Sequence, residues 1–189
     1  MQKLLSEIRD CKVCKAHLPL GPRPIVAGSE KSKIVLVSQA PGRKAHAQNK
    51  AYNDPSGKKL REWLGVTEEQ FYNPDNFAIL PMGFCYPGKG ETGDLPPRKE
   101  CAPLWHEPFK SSLKNVRLTL LIGKYAQDAY LRHHAKKNLT ENVANFEHFL
   151  PEFFPVPHPS PINRFWIAKN PWFESKVVPE LRQRIVDLL

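Results

Sequence analysis

No stretch of this 189-residue sequence approaches the roughly 18 consecutive apolar residues that a membrane span requires. The opening residues, Met1 to Asp10, interleave Gln, Lys, Ser, Glu and Arg with their leucines and so lack the apolar core of a secretion signal. No segment repeats another, and with 41% hydrophobic residues the chain reads as one compact domain over residues 1–189 with a sizeable core. These absences lead to the expectation of a soluble, cytoplasmic protein, taken as a monomer with no membrane partner. Acidic residues are also short: 19 Asp and Glu face 28 Lys and Arg, a formal charge of +9. Such an excess favours polyanions through phosphate neutralisation and counterion release, and nucleic acid is the first partner to consider, against a merely solvated basic surface.

Proline, by contrast, is abundant, with 19 residues gathered in Leu18 to Pro24, Tyr86 to Pro108 and Pro151 to Pro161. Apolar and aromatic residues are interleaved there, so these segments are expected to be rigid loops rather than disordered ones. Between Lys33 and Ser38 the run Ile-Val-Leu-Val has the continuous β-branched character of a strand buried on both faces. Phe77 to Pro81, Leu118 to Ile122 and Phe153 to Val156 read as further buried strands. Helices are expected over Lys58 to Leu64, Glu100 to Leu113, Lys124 to about His133 and Glu174 to Leu189, the last carrying Val177, Val178, Leu181, Ile185 and Leu188 on one face. Strands alternating with helices predict an α/β fold, a central, mostly parallel four-stranded sheet flanked by helices. Ligands of such sheets sit beyond the carboxyl ends of the strands, so the loops beginning at Ser38, Pro81 and Pro157 should converge on one site.

The last of these loops reads His158-Pro159-Ser160-Pro161-Ile162-Asn163-Arg164 and is followed by Phe165, Trp166, Trp172 and Phe173. Here the chain resembles the uracil-DNA glycosylase superfamily, one of whose motifs is a His-Pro-Ser-Pro loop. The resemblance implies a three-layer sandwich and a DNA-repair enzyme that hydrolyses the N-glycosidic bond of uracil or another deaminated base in DNA. It implies that His158 stabilises the departing base by donating one hydrogen bond. It also implies that Ile162 enters the base stack as a wedge, while Ser160, Pro161, Asn163 and Arg164 complete a DNA-holding loop, with Arg164 and Ser160 on phosphates. A structural histidine in a proline-rich turn is the plain alternative.

A second glycosylase motif follows the first strand of that fold and carries Pro preceded in some branches by Asp or Asn. In this chain it is Ser38-Gln39-Ala40-Pro41-Gly42. Ala40 stands where those branches place the residue that positions the attacking water. Gln39 can orient water or touch the base, but an amide cannot act as a base. Asp54, in Tyr52-Asn53-Asp54-Pro55-Ser56-Gly57, is the nearest carboxylate on a plausible pocket loop, and holding water and capping the next helix are equally open roles. Tyr52 falls where one branch stacks an aromatic on the flipped base, a core tyrosine being the alternative. In the iron-sulfur branch an Asn at the end of the second strand reads the base edge, and Pro81 stands there in this chain. Recognition is therefore expected from backbone groups of Met82, Gly83 and Phe84, from Asn53, or through a different base.

All four cysteines belong to one pattern: Cys11 and Cys14 as C-x-x-C, then Cys85 and Cys101 flanking the proline-rich loop. In a cytoplasmic chain four such cysteines suit ligands better than disulfides. The layout resembles the iron-sulfur branch, which implies a 4Fe-4S cluster. A structural zinc fits the same spacing, with His17 either a stray ligand or a surface residue, and unligated buried cysteines are the plain alternative. Either centre is expected to staple the N-terminus to the loop and so order Lys89, Arg98 and Lys99 near the DNA path, the alternative being exposed cations on a solvated loop. Two rivals remain: a DNA-binding or damage-sensing protein of the same fold without catalysis, and an enzyme acting on free nucleosides.

Overall fold

A computed structural model describes all 189 residues. Four parallel strands form one sheet in the order β2-β1-β3-β4, with β1 at Ile34–Val37, β2 at Phe77–Ile79, β3 at Leu118–Ile122 and β4 at Phe153–Val156. Ile34 pairs with both Phe77 and Leu118, and Leu120 with Phe154. The sheet is wholly parallel, where the sequence predicts a mostly parallel one.

Alternating side chains feed two cores. Ile34, Leu36, Leu118, Leu120, Ile122, Phe154 and Val156 pack on one face with Leu60, Trp63, Phe173, Leu181 and Ile185. Val35, Val37, Ala78 and Leu121 pack on the other with Leu5, Ile8, Phe109, Ala126 and Leu131. This two-sided burial is why the strands read as unbroken apolar runs rather than alternating ones.

The helices are α1 (Gln2–Arg9), α2 (Arg43–Gln48), α3 (Pro55–Leu64), α4 (Glu68–Tyr72), α5 (Cys101–Ser111), α6 (Lys124–Leu131), α7 (Leu139–Ala144), α8 (Arg164–Lys169) and α9 (Val178–Leu188). Helix α3 starts earlier than its apolar spacing predicts because Asp54 caps it, accepting from the Gly57 N–H at 2.8 Å, with Pro55 in the first turn. The expected loop from Tyr86 to Pro108 ends at Glu100, since Pro103 and Pro108 lie inside α5. Pro108 removes the donor that the Leu104 carbonyl would use, and Leu104 is exposed enough for water to replace it. The expected Lys124–His133 helix closes at Leu131 into a 3-10 turn. The C-terminal helix begins with a wider π-type turn over Phe173–Val177. No helix is long and apolar enough to cross a membrane.

Candidate active site

The carboxyl ends of the strands open onto one cleft of about 510 Å³. Ser38, Gln39, Ala40, Pro41 and Gly42 reach it from β1, Pro81 from β2, and His158, Ser160, Ile162 and Asn163 from β4. Tyr52, Asp54 and Ser56 complete the wall from the segment leading into α3. The three loops singled out in the sequence do meet, because all four strands run the same way.

His158 is held from three sides. The Ser160 backbone N–H donates to its Nδ1 at 3.2 Å, and Asn163 Nδ2 donates to its carbonyl oxygen at 2.7 Å. Gly123, at φ +80°, lies against the imidazole, and a methyl group on it would sit 3.4 Å from His158 Cβ. A ring whose Nδ1 accepts a hydrogen bond and which stays neutral carries its proton on Nε2. Burial pushes the His158 pKa below the ordinary histidine value, with the Asp54 carboxylate opposing, so the neutral form is the one the fold favours.

Asp54 takes the capping role and also keeps one carboxylate oxygen on the cleft. Oδ1 caps α3 through Gly57, while Oδ2 faces Gly42 across the cleft, 4.0 Å from where a Gly42 Cβ would stand. Tyr52 adopts φ +56°, and its carbonyl lies so close over Gly57 that any side chain there would overlap it. Its ring meets Phe71 edge-on, with centroids 5.6 Å apart. The Tyr52 hydroxyl is buried without a protein partner, and that burial raises its pKa. Gln39 donates from Nε2 to the Leu95 carbonyl at 3.1 Å, which leaves its Oε1 as a free acceptor.

Several expected contacts lie elsewhere. The Met82 N–H donates to the Ser38 carbonyl at 2.7 Å and the Gly83 N–H to that of Gln39 at 2.9 Å. Both donors are consumed in tying the two loops together. Phe84 is buried in the second core, with its carbonyl accepting from the Ile25 N–H at 2.8 Å. None of the three lines the cleft. Asn53 turns away, donating to Gln48 Oε1 at 2.8 Å. The Pro81 carbonyl points back to His106 Nε2 at 3.0 Å, and His106 Nδ1 meets the Tyr130 hydroxyl at 2.8 Å.

The part of the cleft wall that these residues do not supply comes from the loop between Cys85 and Cys101. A short antiparallel bridge pairs Lys89 with Asp94 and brings Lys89, Thr92, Gly93 and Asp94 to the cleft. Burial raises the Asp94 pKa, Lys89 lowers it, and Asp54 raises it further. Asp94 Oδ2 approaches the same Gly42 position, at 3.5 Å, so two carboxylates converge on one glycine. Sequence reasoning missed Asp94. Its only signal is the Gly-rich tetrad Gly90 to Gly93 that lets the chain reverse.

On the rim, Ile162 is 70% exposed. Ser160 accepts from the Ile162 N–H through Oγ and has already committed its own N–H to His158, so that N–H is not free for a phosphate. Pro161 opens the 3-10 turn Pro161–Asn163. The Arg164 guanidinium lies 4.7 Å over the Phe165 ring. Of the loop cations, Arg98 is paired with Glu100, whereas Lys89 lines the cleft.

The four cysteines are free thiols, three of them buried. Burial pushes Cys85 up to about 11 and Cys101 up to about 12. The neighbouring cysteines push in the same direction: Cys11 and Cys14 on Cys85, and Cys14, Cys85 and Cys11 on Cys101. The thiols thus lie within electrostatic range of one another, although no three His, Cys, Asp or Glu side chains in the structure are arranged to hold a single metal ion. His17 follows on the 3-10 turn Lys15–His17 and is exposed.

A wholly parallel α/β sheet thus gathers a His-Pro-Ser-Pro loop, a Pro-Gly loop and an aromatic around one cleft. The family model of the uracil DNA glycosylase superfamily matches residues 25–182. The chain belongs to that superfamily. The matched span begins after Cys11 and Cys14, so it covers the cleft and only half of the cysteine set. A solution structure of a Methanosarcina acetivorans protein, provisionally described as a uracil DNA glycosylase, is similar at 13% identity over 85% of this chain and 97% of its own, with a TM-score of 0.48.

Proposed function

We propose that this protein is a monofunctional DNA glycosylase that hydrolyses the N-glycosidic bond of uracil or another deaminated base in DNA. The observation that carries the reading is the Ser160 N–H donating to Nδ1 of His158, a residue that lines the cleft, which leaves Nε2 to carry the proton of the neutral ring. With the nucleotide flipped in, Tyr52 supplies a face for the base. As the bond from C1′ to the base nitrogen breaks, its electron pair moves onto the base, and the Nε2–H hydrogen bond stabilises that negative charge. A water held between Asp54 Oδ2 and Gln39 Oε1 adds its oxygen to C1′ and passes its proton to the carboxylate. The products are an abasic site and the free base, which takes up a proton from solvent as Asp54 returns the one it accepted. Ile162 fills the gap in the stack, and Arg164 lies along the phosphates.

In the same reading Cys11, Cys14, Cys85 and Cys101 hold an iron-sulfur (4Fe-4S) cluster. Four clustered thiols, with the Arg98 guanidinium beside Cys14, suit thiolate ligation, and a cluster separates its ligands more widely than one zinc ion does. When bound, it supplies a staple rather than electrons, since hydrolysis transfers none. That staple fixes the base of the hairpin that carries Lys89 and Asp94 to the cleft.

The test is incubation of the protein with single- and double-stranded oligonucleotides containing uracil, hypoxanthine or xanthine, followed by alkali. Strand scission at one or more of these bases is expected. No scission with any lesion overturns the enzyme reading in favour of a DNA-binding protein without catalysis.

A further inference from the structure

Of the ten phenylalanines, Phe165 alone is among the exposed large hydrophobics, at 66% exposure. A phenyl ring in water forgoes the burial that the other phenylalanines obtain, so its setting needs a physical reason. Flexibility does not supply one. Helix α8 is fixed by its next residue, Trp166, whose Nε1 donates to Thr140 Oγ1 at 2.9 Å. The Trp166 indole also packs edge-on against Trp172 and Phe173, at 5.8 and 5.7 Å between centroids. Asn170 Nδ2 closes the helix onto the Trp166 carbonyl at 2.8 Å. With Trp166 turned inward, Phe165 is directed outward and cannot swing into the core.

Phe165 follows Ile162 by three residues, so the two apolar groups project from one rigid unit. Ile162 rims the cleft, and a neighbouring groove lined by Lys58 and Arg164, with Lys59 paired to Glu62 and Glu174, runs along Pro159 to Pro161. The Arg164 guanidinium stacks on the Phe165 ring, which holds both groups in place. An apolar pair bordered by cations on a chain of charge +9 matches a duplex: bases between phosphates. One wedge occupies the space that a flipped nucleotide leaves, while the base opposite loses its pairing partner and one stacking face.

We propose that Phe165 is a second insertion side chain, entering the stack beside Ile162 and stacking on the base left unpaired opposite the flipped nucleotide. This rests on the glycosylase reading only in taking duplex DNA with an extruded nucleotide as the substrate. It makes Phe165 a reader of double-stranded substrate, since a single strand has no orphaned partner base.

The test is binding, independent of turnover. Fluorescence anisotropy compares a labelled duplex carrying a tetrahydrofuran abasic analogue with the same labelled single strand, for the wild type, Phe165→Ala and Phe165→Tyr. Losing one base-aromatic stack weakens duplex binding by about tenfold in Phe165→Ala and single-strand binding by less than about twofold, while Phe165→Tyr stays near wild type on both. Thermal midpoints remain unchanged because the ring is exposed. Equal losses on both substrates, no loss on the duplex, or failure of Tyr to restore binding overturns the role of Phe165 and leaves the glycosylase reading intact. A wild-type protein that binds neither substrate removes the DNA reading, and the proposal with it.

Discussion

The Ser160 backbone N–H and the His158 Nδ1 face each other at 3.2 Å within one proline-bounded loop, and this contact sets which ring nitrogen carries the proton. In the proposed mechanism His158 acts in its neutral form, and burial moves its pKa below the ordinary 6.5. The kcat/KM profile is expected to stay flat through neutrality, with its acid limb below pH 6.5. A limb centred above 6.5 contradicts a neutral donor.

Stability carries the same sign. His46, His106 and His158 all have folded pKa values lowered by burial, so between the folded and unfolded values the unfolded chain binds more protons. Stability is complete above the ordinary histidine range and falls as acid is added through and below pH 6.5. Melting scans from pH 8 to 5 at constant ionic strength check this, and a Tm that rises on acidification contradicts it.

Asp54 separates into two functions by substitution. Asp54→Asn keeps an oxygen for the Gly57 N–H and loses the carboxylate, so turnover should fall by at least about tenfold with a nearly unchanged Tm. Asp54→Ala loses the cap as well and should cost about 1 kcal/mol of stability. Equal activity in Asp54→Asn and wild type leaves Asp54 with capping alone.

Gly42→Ala probes the space between the carboxylates. Its φ of −76° suits any residue, and the added methyl would stand at ordinary contact from Asp94 Oδ2 and Asp54 Oδ2. The methyl narrows the space beside Asp54 Oδ2 in which the proposed water would sit. Turnover should drop about tenfold or more while the fold is retained, as read by single-turnover kinetics beside a thermal scan.

Metal content gives an independent check on the cysteines. Anaerobic purification is expected to yield a brown protein absorbing near 400 nm, with about four irons per chain. Cys101→Ala should lose the colour and speed hydrogen exchange in the hairpin from Lys89 to Asp94. Stoichiometric zinc in place of iron favours the tetrahedral alternative.

Much of the fold was readable because two-sided burial writes itself as apolar runs: Ile34–Val37 and Leu118–Ile122 stand where those runs do. Helices such as α2, α4, α7 and α8 are five or six residues long, too short for a 3.6-residue period to show. In the cleft, the motif-bearing residues His158, Gln39, Tyr52 and Asp54 were legible because each stands on a loop leaving a strand or entering α3. The fate of the Met82 and Gly83 donors was not, since it depends on which carbonyls the parallel pairing of β1 and β2 places opposite them. Asp94 arrives through a hairpin whose pairing is tertiary, and Asn53 is turned away by Gln48, a contact that no spacing predicts.

The most direct test of the central claim is single-turnover release of free base from a uracil-containing duplex, followed by chromatography for wild type and His158→Ala side by side. The account predicts stoichiometric free uracil, or another deaminated base when that replaces it, and a rate on the order of a hundredfold lower in His158→Ala. Equal rates in the two proteins would contradict it.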